Sequence, residues 1–130
     1  MALPKEKFEE IKSKIQNFID EEMVVLEDDF NINHKFADHL PFLEEKRNKV
    51  REMGLFAPQI SKEHGGLGLS LYQLGQIYEI LGKTFYGLYV FNCQAPDAGN
   101  MEILIEVGTS QQRKDYLTPL LEGKIRSCFA

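Results

Sequence analysis

Few residues in this 130-residue chain are of types that do chemistry unaided. A thiolate at Cys93 or Cys128 could attack a carbonyl, but only beside a base that lowers its pKa. Small buried thiols are the commoner use of the residue, so neither is expected to be catalytic. The two lie far apart and neither belongs to a Cys-x-x-Cys pair, which argues against a disulfide scaffold or a zinc site. His34, His39 and His64 lack the His-x-x-x-His spacing that converges on a metal from one helix face, and they read as surface or loop histidines. Gly65, Gly66 and Gly68 could cradle a phosphate, yet no Lys-Ser pair and no preceding strand accompany them. A turn that needs positive φ is the plainer reading. Asp20, Glu21, Glu22, Glu27, Asp28 and Asp29 could pair catalytic carboxylates, although acids crowded at the end of a helix usually form a solvated face and oppose its dipole. They could instead meet a basic surface elsewhere. The stretch Phe91, Asn92, Cys93, Gln94, Ala95, Pro96, Asp97, Ala98, Gly99, Asn100 interrupts the most apolar part of the chain with small and polar residues. It reads either as a pocket lining or as a helix-to-helix turn forced by Pro96 and Gly99.

The elements that must hold these residues are helical. Phe8, Ile11, Ile15, Phe18, Ile19 and Leu26 recur at amphipathic spacing and predict a helix from about Pro4 to about Leu26, with Pro4 in its first turn. Asp28 to His34 reads as a short connection. A second helix carries Phe42, Leu43, Val50 and Met53, with Glu44, Glu45, Lys46, Arg47 and Lys49 between them. Pro41 fits its first turn and Gly54 its left-handed cap, with Pro58 beyond. Ser70 with Gln73 forms a capping box that opens a third helix, whose apolar face reads as Leu71, Leu74, Ile77, Tyr78 and Leu81 before Gly82 ends it.

Phe85 to Phe91 could be a buried helix or a strand, and the helical neighbourhood favours a short helix. Gly99 or Asn100 starts another, through Met101, Ile103, Leu104 and Val107 to Gly108. Thr109 with Gln112 opens the last, which runs to about Leu121 and stops at Gly123. Ile125 to Ala130 has the alternation of a strand. The fold expected is therefore all-α, a bundle of about six helices with a short strand-like C-terminal tail. A lone strand is unstable unpaired, so the tail is expected to join structure outside this chain.

Composition narrows the function classes. With 43% hydrophobic and 27% charged residues the chain is an ordinary globular one, and 130 residues suit one domain. The net charge of −5 disfavours nucleic acid as a partner. The N-terminus lacks the apolar core of a secretory signal, and no run reaches the roughly 18 apolar residues of a membrane span. An intracellular, soluble protein is expected.

The run Gly108-Thr-Ser-Gln-Gln-Arg113, continuing through Leu117-Thr-Pro-Leu-Leu-Glu-Gly123, resembles the acyl-CoA dehydrogenase family, in which a Gly-(Thr/Ser)-x-x-Gln-(Lys/Arg) helix leads to a Leu-x-x-Leu-x-x-Gly turn. Ile125 to Ala130 resembles the strand entering that family's flavin-binding signature. Gly54-Leu-Phe-Ala-Pro58 followed by Glu63-His-Gly-Gly-Leu-Gly68 is similar to an upstream element of the same family, and the matches fall in the family's order. Asn92 to Glu102 looks most like the subgroup of family members ten and eleven and their bacterial relatives.

The resemblance implies a helical domain at residues 1–123 and the start of a β-barrel flavin-binding domain at 124–130. It implies a parent enzyme that uses FAD to convert an acyl-CoA to a trans-2-enoyl-CoA, passes electrons to an electron-transferring flavoprotein, and assembles as a dimer or tetramer. The glutamate base of such enzymes lies outside this chain, so the chain alone is expected to be inactive. Val90, Gln94 and Ala98 match positions lining the acyl pocket, with Phe91, Ala95 and Asp97 as neighbours. Phe129 and Ala130 match the strand that approaches the flavin. The compartment would be cytoplasmic in a bacterium and mitochondrial or peroxisomal in a eukaryote. An acyl-CoA oxidase and a flavin-free helical binding or assembly module are the alternatives.

Overall fold

The computed structural model describes residues 2–27 and 35–130, and within them the ordered elements are six helices and one 3-10 turn, Lys62–His64. The connection expected at Asp28 to His34 lies outside the described residues, as do His34 and the acids Asp28 and Asp29. Helix α1 covers Lys5–Phe18 and continues without a break through a π-helical stretch, Ile19–Val24, into Val25–Glu27. Pro4 stands just before its first residue, where a missing amide costs nothing. Phe8, Ile15, Phe18, Ile19 and Met23 form its buried stripe, as the spacing requires.

Helix α2 is Phe36–Glu52, so it starts five residues before Pro41, which lies inside it. The start is set by Asp38, whose carboxylate accepts the Lys35 amide at 2.9 Å. The C-terminus is a Schellman turn: Gly54 has φ +70°, its amide donates to Arg51 O, and the Leu55 amide donates to Val50 O. Lys46 and Arg47, charged residues between the apolar ones, are buried, whereas the apolar Met53 is 40% exposed.

Helix α3, Leu71–Leu81, opens with the Ser70–Gln73 capping box. Its buried face is Gln73, Ile77, Ile80 and Leu81, while Leu71 and Tyr72 face outward. Of the expected face, Ile77 and Leu81 are in the core, Tyr78 packs against it and Leu74 is half-buried, while Leu71 lies outside it. Gln73 goes inside because its amide serves Leu3, donating to Leu3 O at 2.9 Å and accepting the Leu3 amide at 3.1 Å. It also accepts the Ser70 amide. A buried amide so satisfied costs little.

Helix α4 is short, Gly87–Val90, and resolves the ambiguous apolar run in favour of helix, although Phe85 at its approach is 87% exposed. Helix α5, Asp97–Val107, begins two residues before the earlier of the two starts expected from sequence. Helix α6 opens on the Thr109–Gln112 capping box. It runs as Ser110–Gln112, a π-helical Arg113–Leu117, and Thr118–Leu121 before Gly123 turns at φ +68°.

Two apolar clusters hold these elements together. The larger joins α1, α2, α3 and the Val90–Cys93 segment; the smaller joins Ala57, Ile60, Met101, Leu117 and Leu120. Each fully buried side chain of this size contributes about 1.5–3 kcal/mol relative to exposure.

Among the described residues the tail Ile125–Ala130 joins no β-ladder. In place of the strand expected, there is an irregular segment in which the polar groups of Arg126 and Ser127 are met by side chains of α5. Backbone groups without a neighbouring strand take whatever donors and acceptors are nearest.

Candidate functional site

The buried carboxylate of Asp97, on the first turn of α5, organises the region around the tail. Its Oδ1 accepts the Ser127 amide at 2.7 Å and the Ser127 hydroxyl at 2.6 Å. Its Oδ2 accepts from Arg126 Nε at 2.5 Å and from Gln94 Nε2 at 2.6 Å. Asn100, one turn on, donates to Ser127 Oγ at 2.8 Å. Burial pushes the Asp97 carboxyl up, but the hydrogen bonds from Ser127 and the bond and charge of Arg126 outweigh it and hold the group below the usual carboxylate range. Asp97 is therefore ionised and fully partnered at neutral pH. The Arg126 guanidinium also lies 5.1 Å from the Tyr89 ring centre.

Against this frame the residues expected at the acyl pocket separate. Val90 is wholly buried in the larger cluster. Gln94 is 9% exposed, with its Nε2 on Asp97 and its Oε1 buried without a hydrogen-bond partner. Ala98 is half-buried, and its amide donates to Gln94 O at 3.0 Å, so these two are joined by one turn of backbone. Of their neighbours, Phe91 is buried and Ala95 exposed. Phe129 is 71% exposed and Ala130 exposed; the Phe129 ring passes close to Gly99, where an added Cβ would stand 4.0 Å from its Cζ.

Sequence reasoning named Asp97 only as a neighbour and missed Arg126 and Ser127 as its partners. No local spacing signals a bond across 30 residues. The one available clue was an acid among small residues in an apolar stretch, which must find donors if buried.

A cleft of about 340 Å³ lies beside the tail, between Ile103 and Leu104 of α5, Tyr116 and Leu120 of α6, and Ile125 to Cys128. A second, of about 760 Å³, is bounded by Glu44, Arg51, Phe56, Gly65 and residues 122–124. The first is mainly apolar-walled, and the second is rimmed by charges of both signs.

The other candidates resolve individually. Cys93 is buried, and burial pushes its thiol far up, so it stays protonated and unreactive, whereas Cys128 is exposed. His39, expected at the surface, is buried on α2 against the Tyr86 ring. Among the described residues no group of three His, Cys, Asp or Glu side chains gathers to hold a metal. Likewise none of their helices is long and apolar enough to cross a membrane. Gly65 and Gly68 have positive φ, as a turn needs, and a Cβ on Gly66 would stand 2.0 Å from Ile60 O. Glu22 of the acidic cluster meets a basic surface within the chain itself, Lys46 Nζ at 2.5 Å and Lys49 Nζ at 3.0 Å.

Comparison with known proteins bears on this geometry. Residues 5–124 match the family model described as acyl-CoA dehydrogenase, N-terminal domain. The chain is 37% identical over 125 residues to mouse "Acyl-CoA dehydrogenase family member 10", covering 90% of this chain and 12% of that protein. It is 36% identical over 125 residues to the Mycobacterium tuberculosis protein named "Probable acyl-CoA dehydrogenase FadE2", covering 92% of this chain and 30% of that one. A solved Mycobacterium abscessus chain described as an acyl-CoA dehydrogenase superposes with a TM-score of 0.83 at 32% identity, over 95% of this chain and 33% of that one. The chain thus spans a third or less of the length of these relatives. A match over nearly the whole chain, reproduced in sequence and in three dimensions, identifies it as a member of the acyl-CoA dehydrogenase family, corresponding to that family's N-terminal domain.

Proposed function

We propose that this chain forms one wall of the acyl pocket in a flavin-dependent acyl-CoA dehydrogenase, the parent enzyme converting an acyl-CoA to a trans-2-enoyl-CoA. Residues 1–123 are the helical domain and 124–130 lead into a flavin-binding barrel. The observation that carries the reading is the position of Gln94: buried at the entry to α5, with an unpartnered amide oxygen and its Nε2 on Asp97, which in turn holds the tail. Val90, Gln94 and Ala98 shape the acyl end of the site, and a helical wall there excludes water from the reacting thioester.

FAD is the cofactor of this reading, and it supplies the acceptor for hydride from the acyl β-carbon. The residues present fit such a group at its edge. The tail is fixed at Ser127, while Phe129 and Ala130 are exposed beyond it. Among the described residues the backbone of Cys128 to Ala130 makes no hydrogen bond, so its donors and acceptors are free to meet a ligand. The chain holds none of the catalytic acid–base machinery and is inactive alone. Electron-transferring flavoprotein takes the electrons, and the parent assembles as a dimer or tetramer.

The test is to produce the full-length protein carrying this domain and look for flavin absorbance near about 450 nm, bleached anaerobically by acyl-CoA. Reoxidation by electron-transferring flavoprotein and not by oxygen separates dehydrogenase from oxidase. A folded, colourless protein that takes up no flavin would sink the proposal and leave a helical binding module.

A further inference from the structure

A single side chain joins the acyl wall and the flavin edge of this domain. Asp97 Oδ2 accepts from Gln94, the pocket-wall residue, while Oδ1 accepts both the amide and the hydroxyl of Ser127, two residues before Phe129. We infer that Asp97 is a positioning residue that sets Gln94 and the flavin-edge tail in register with one another. This rests on the proposed function and deepens it.

Three features carry the inference. The Asp97 side chain is 1% exposed, so its four hydrogen bonds are not exchanged freely for water. Because Oδ2 is an acceptor only, Gln94 must turn its Nε2 toward it, which fixes the carboxamide with Oε1 on the far side. And Ser127 is held at both its amide and its hydroxyl, which fixes the direction in which the backbone leaves toward Cys128, Phe129 and Ala130. Arg126 bonds Oδ2 from the tail side while lying over the Tyr89 ring, so the tail is held at two successive residues. A merely stabilising acid would not need to link these two positions. Asp97 touches neither substrate nor cofactor in this scheme and acts through its neighbours.

The experiment compares three variants of the full-length flavoprotein. Asp97→Asn puts an amide donor against donors, so the FAD Kd and the KM for acyl-CoA should both rise about tenfold or more. Ser127→Ala, which loosens only the tail, should raise the FAD Kd with KM within about twofold of wild type. Gln94→Leu should do the reverse. In the flavin-stripped proteins, hydrogen exchange at residues 127–130 should accelerate in Asp97→Asn and Ser127→Ala while α5 keeps its protection.

A lowered thermal midpoint in Asp97→Asn with FAD Kd, KM and tail exchange unchanged would overturn the inference. So would an unfolded Asp97→Asn accompanied by a Ser127→Ala variant with unaltered tail exchange and FAD affinity. If the wild-type protein takes up no flavin, the proposed function falls. The exchange comparison in that same protein still decides whether Asp97 fixes the tail.

Discussion

A Cβ at position 123 would stand 2.2 Å from Nη2 of Arg47, so Gly123 is glycine because the guanidinium occupies the space a side chain would need. The same Nη2 donates to Gly123 O at 3.2 Å, closing a contact across 76 residues. Arg47 cannot swing away. It is wholly buried, its Nη1 donates to Tyr89 O at 2.5 Å, and its guanidinium lies 5.0 Å from the Phe56 ring centre and 4.4 Å from that of Tyr89. Gly123→Ala is therefore expected to cost about 2–4 kcal/mol, combining the strain of alanine at φ +68° with overpacking against a pinned group. Urea denaturation reads it directly, and a loss below about 0.5 kcal/mol would show that the arginine yields.

Arg47 is expected to be needed for its fork and not for its charge. Arg47→Lys keeps the charge but cannot span Tyr89 O and Gly123 O together, and each half-buried carbonyl left unmet costs up to about 1–3 kcal/mol. Lysine should thus be nearly as damaging as methionine, both losing about 2–4 kcal/mol in thermal or chemical unfolding. Recovery of most of the stability by lysine would contradict the geometry.

These contacts also mark the limit of what local sequence conveys. The capping boxes at Ser70–Gln73 and Thr109–Gln112 and the cap at Gly54 were legible because each is complete within a few residues. On α3 the spacing places Ile77, Tyr78 and Leu81 correctly but not Gln73, which counts as polar until Leu3, 70 residues away, bonds its amide at both ends. Pro41 was read as a start signal, although the Asp38 carboxylate on the Lys35 amide starts α2 earlier. For the site, the resemblance singled out Gln94, Ala98, Phe129 and Ala130 as positions, but the carboxylate linking Gln94 to the tail depends on a fold-level approach that no spacing encodes.

The N-terminal segment should detach when Gln73 is replaced. Leu3 is 5% exposed and is held by both its amide and its carbonyl through one carboxamide. Gln73→Leu removes both bonds and part of the helix cap, for a loss of about 1–3 kcal/mol. Trypsin should then cut sooner at Lys5 and Lys7, while α2 and α5 keep their resistance. Unchanged cleavage at these lysines would mean that burial of Leu3 alone holds the segment.

Acid should release the tail in a way that depends on Asp97. Burial raises its pKa, but Ser127 and Arg126 lower it further, so the folded value lies below the ordinary 3.8. A group whose folded pKa is depressed stabilises the fold fully above its unfolded pKa and loses that contribution as pH falls through the folded one. Tail order, followed by the exchange or NMR line of the Ser127 amide, should be flat from neutral pH to about pH 5 and then decline below about pH 4. Glu22, lowered by its hydrogen bonds to Lys46 and Lys49, weakens the contact between α1 and α2 in the same direction, so acid sensitivity alone does not single out the tail. Asp97→Asn does. In that variant Ser127 exchange should be fast already at neutral pH and lose its separate acid dependence, while the Glu22-linked change persists. A Ser127 profile that still bends below about pH 4 in Asp97→Asn would assign the bend to another carboxylate.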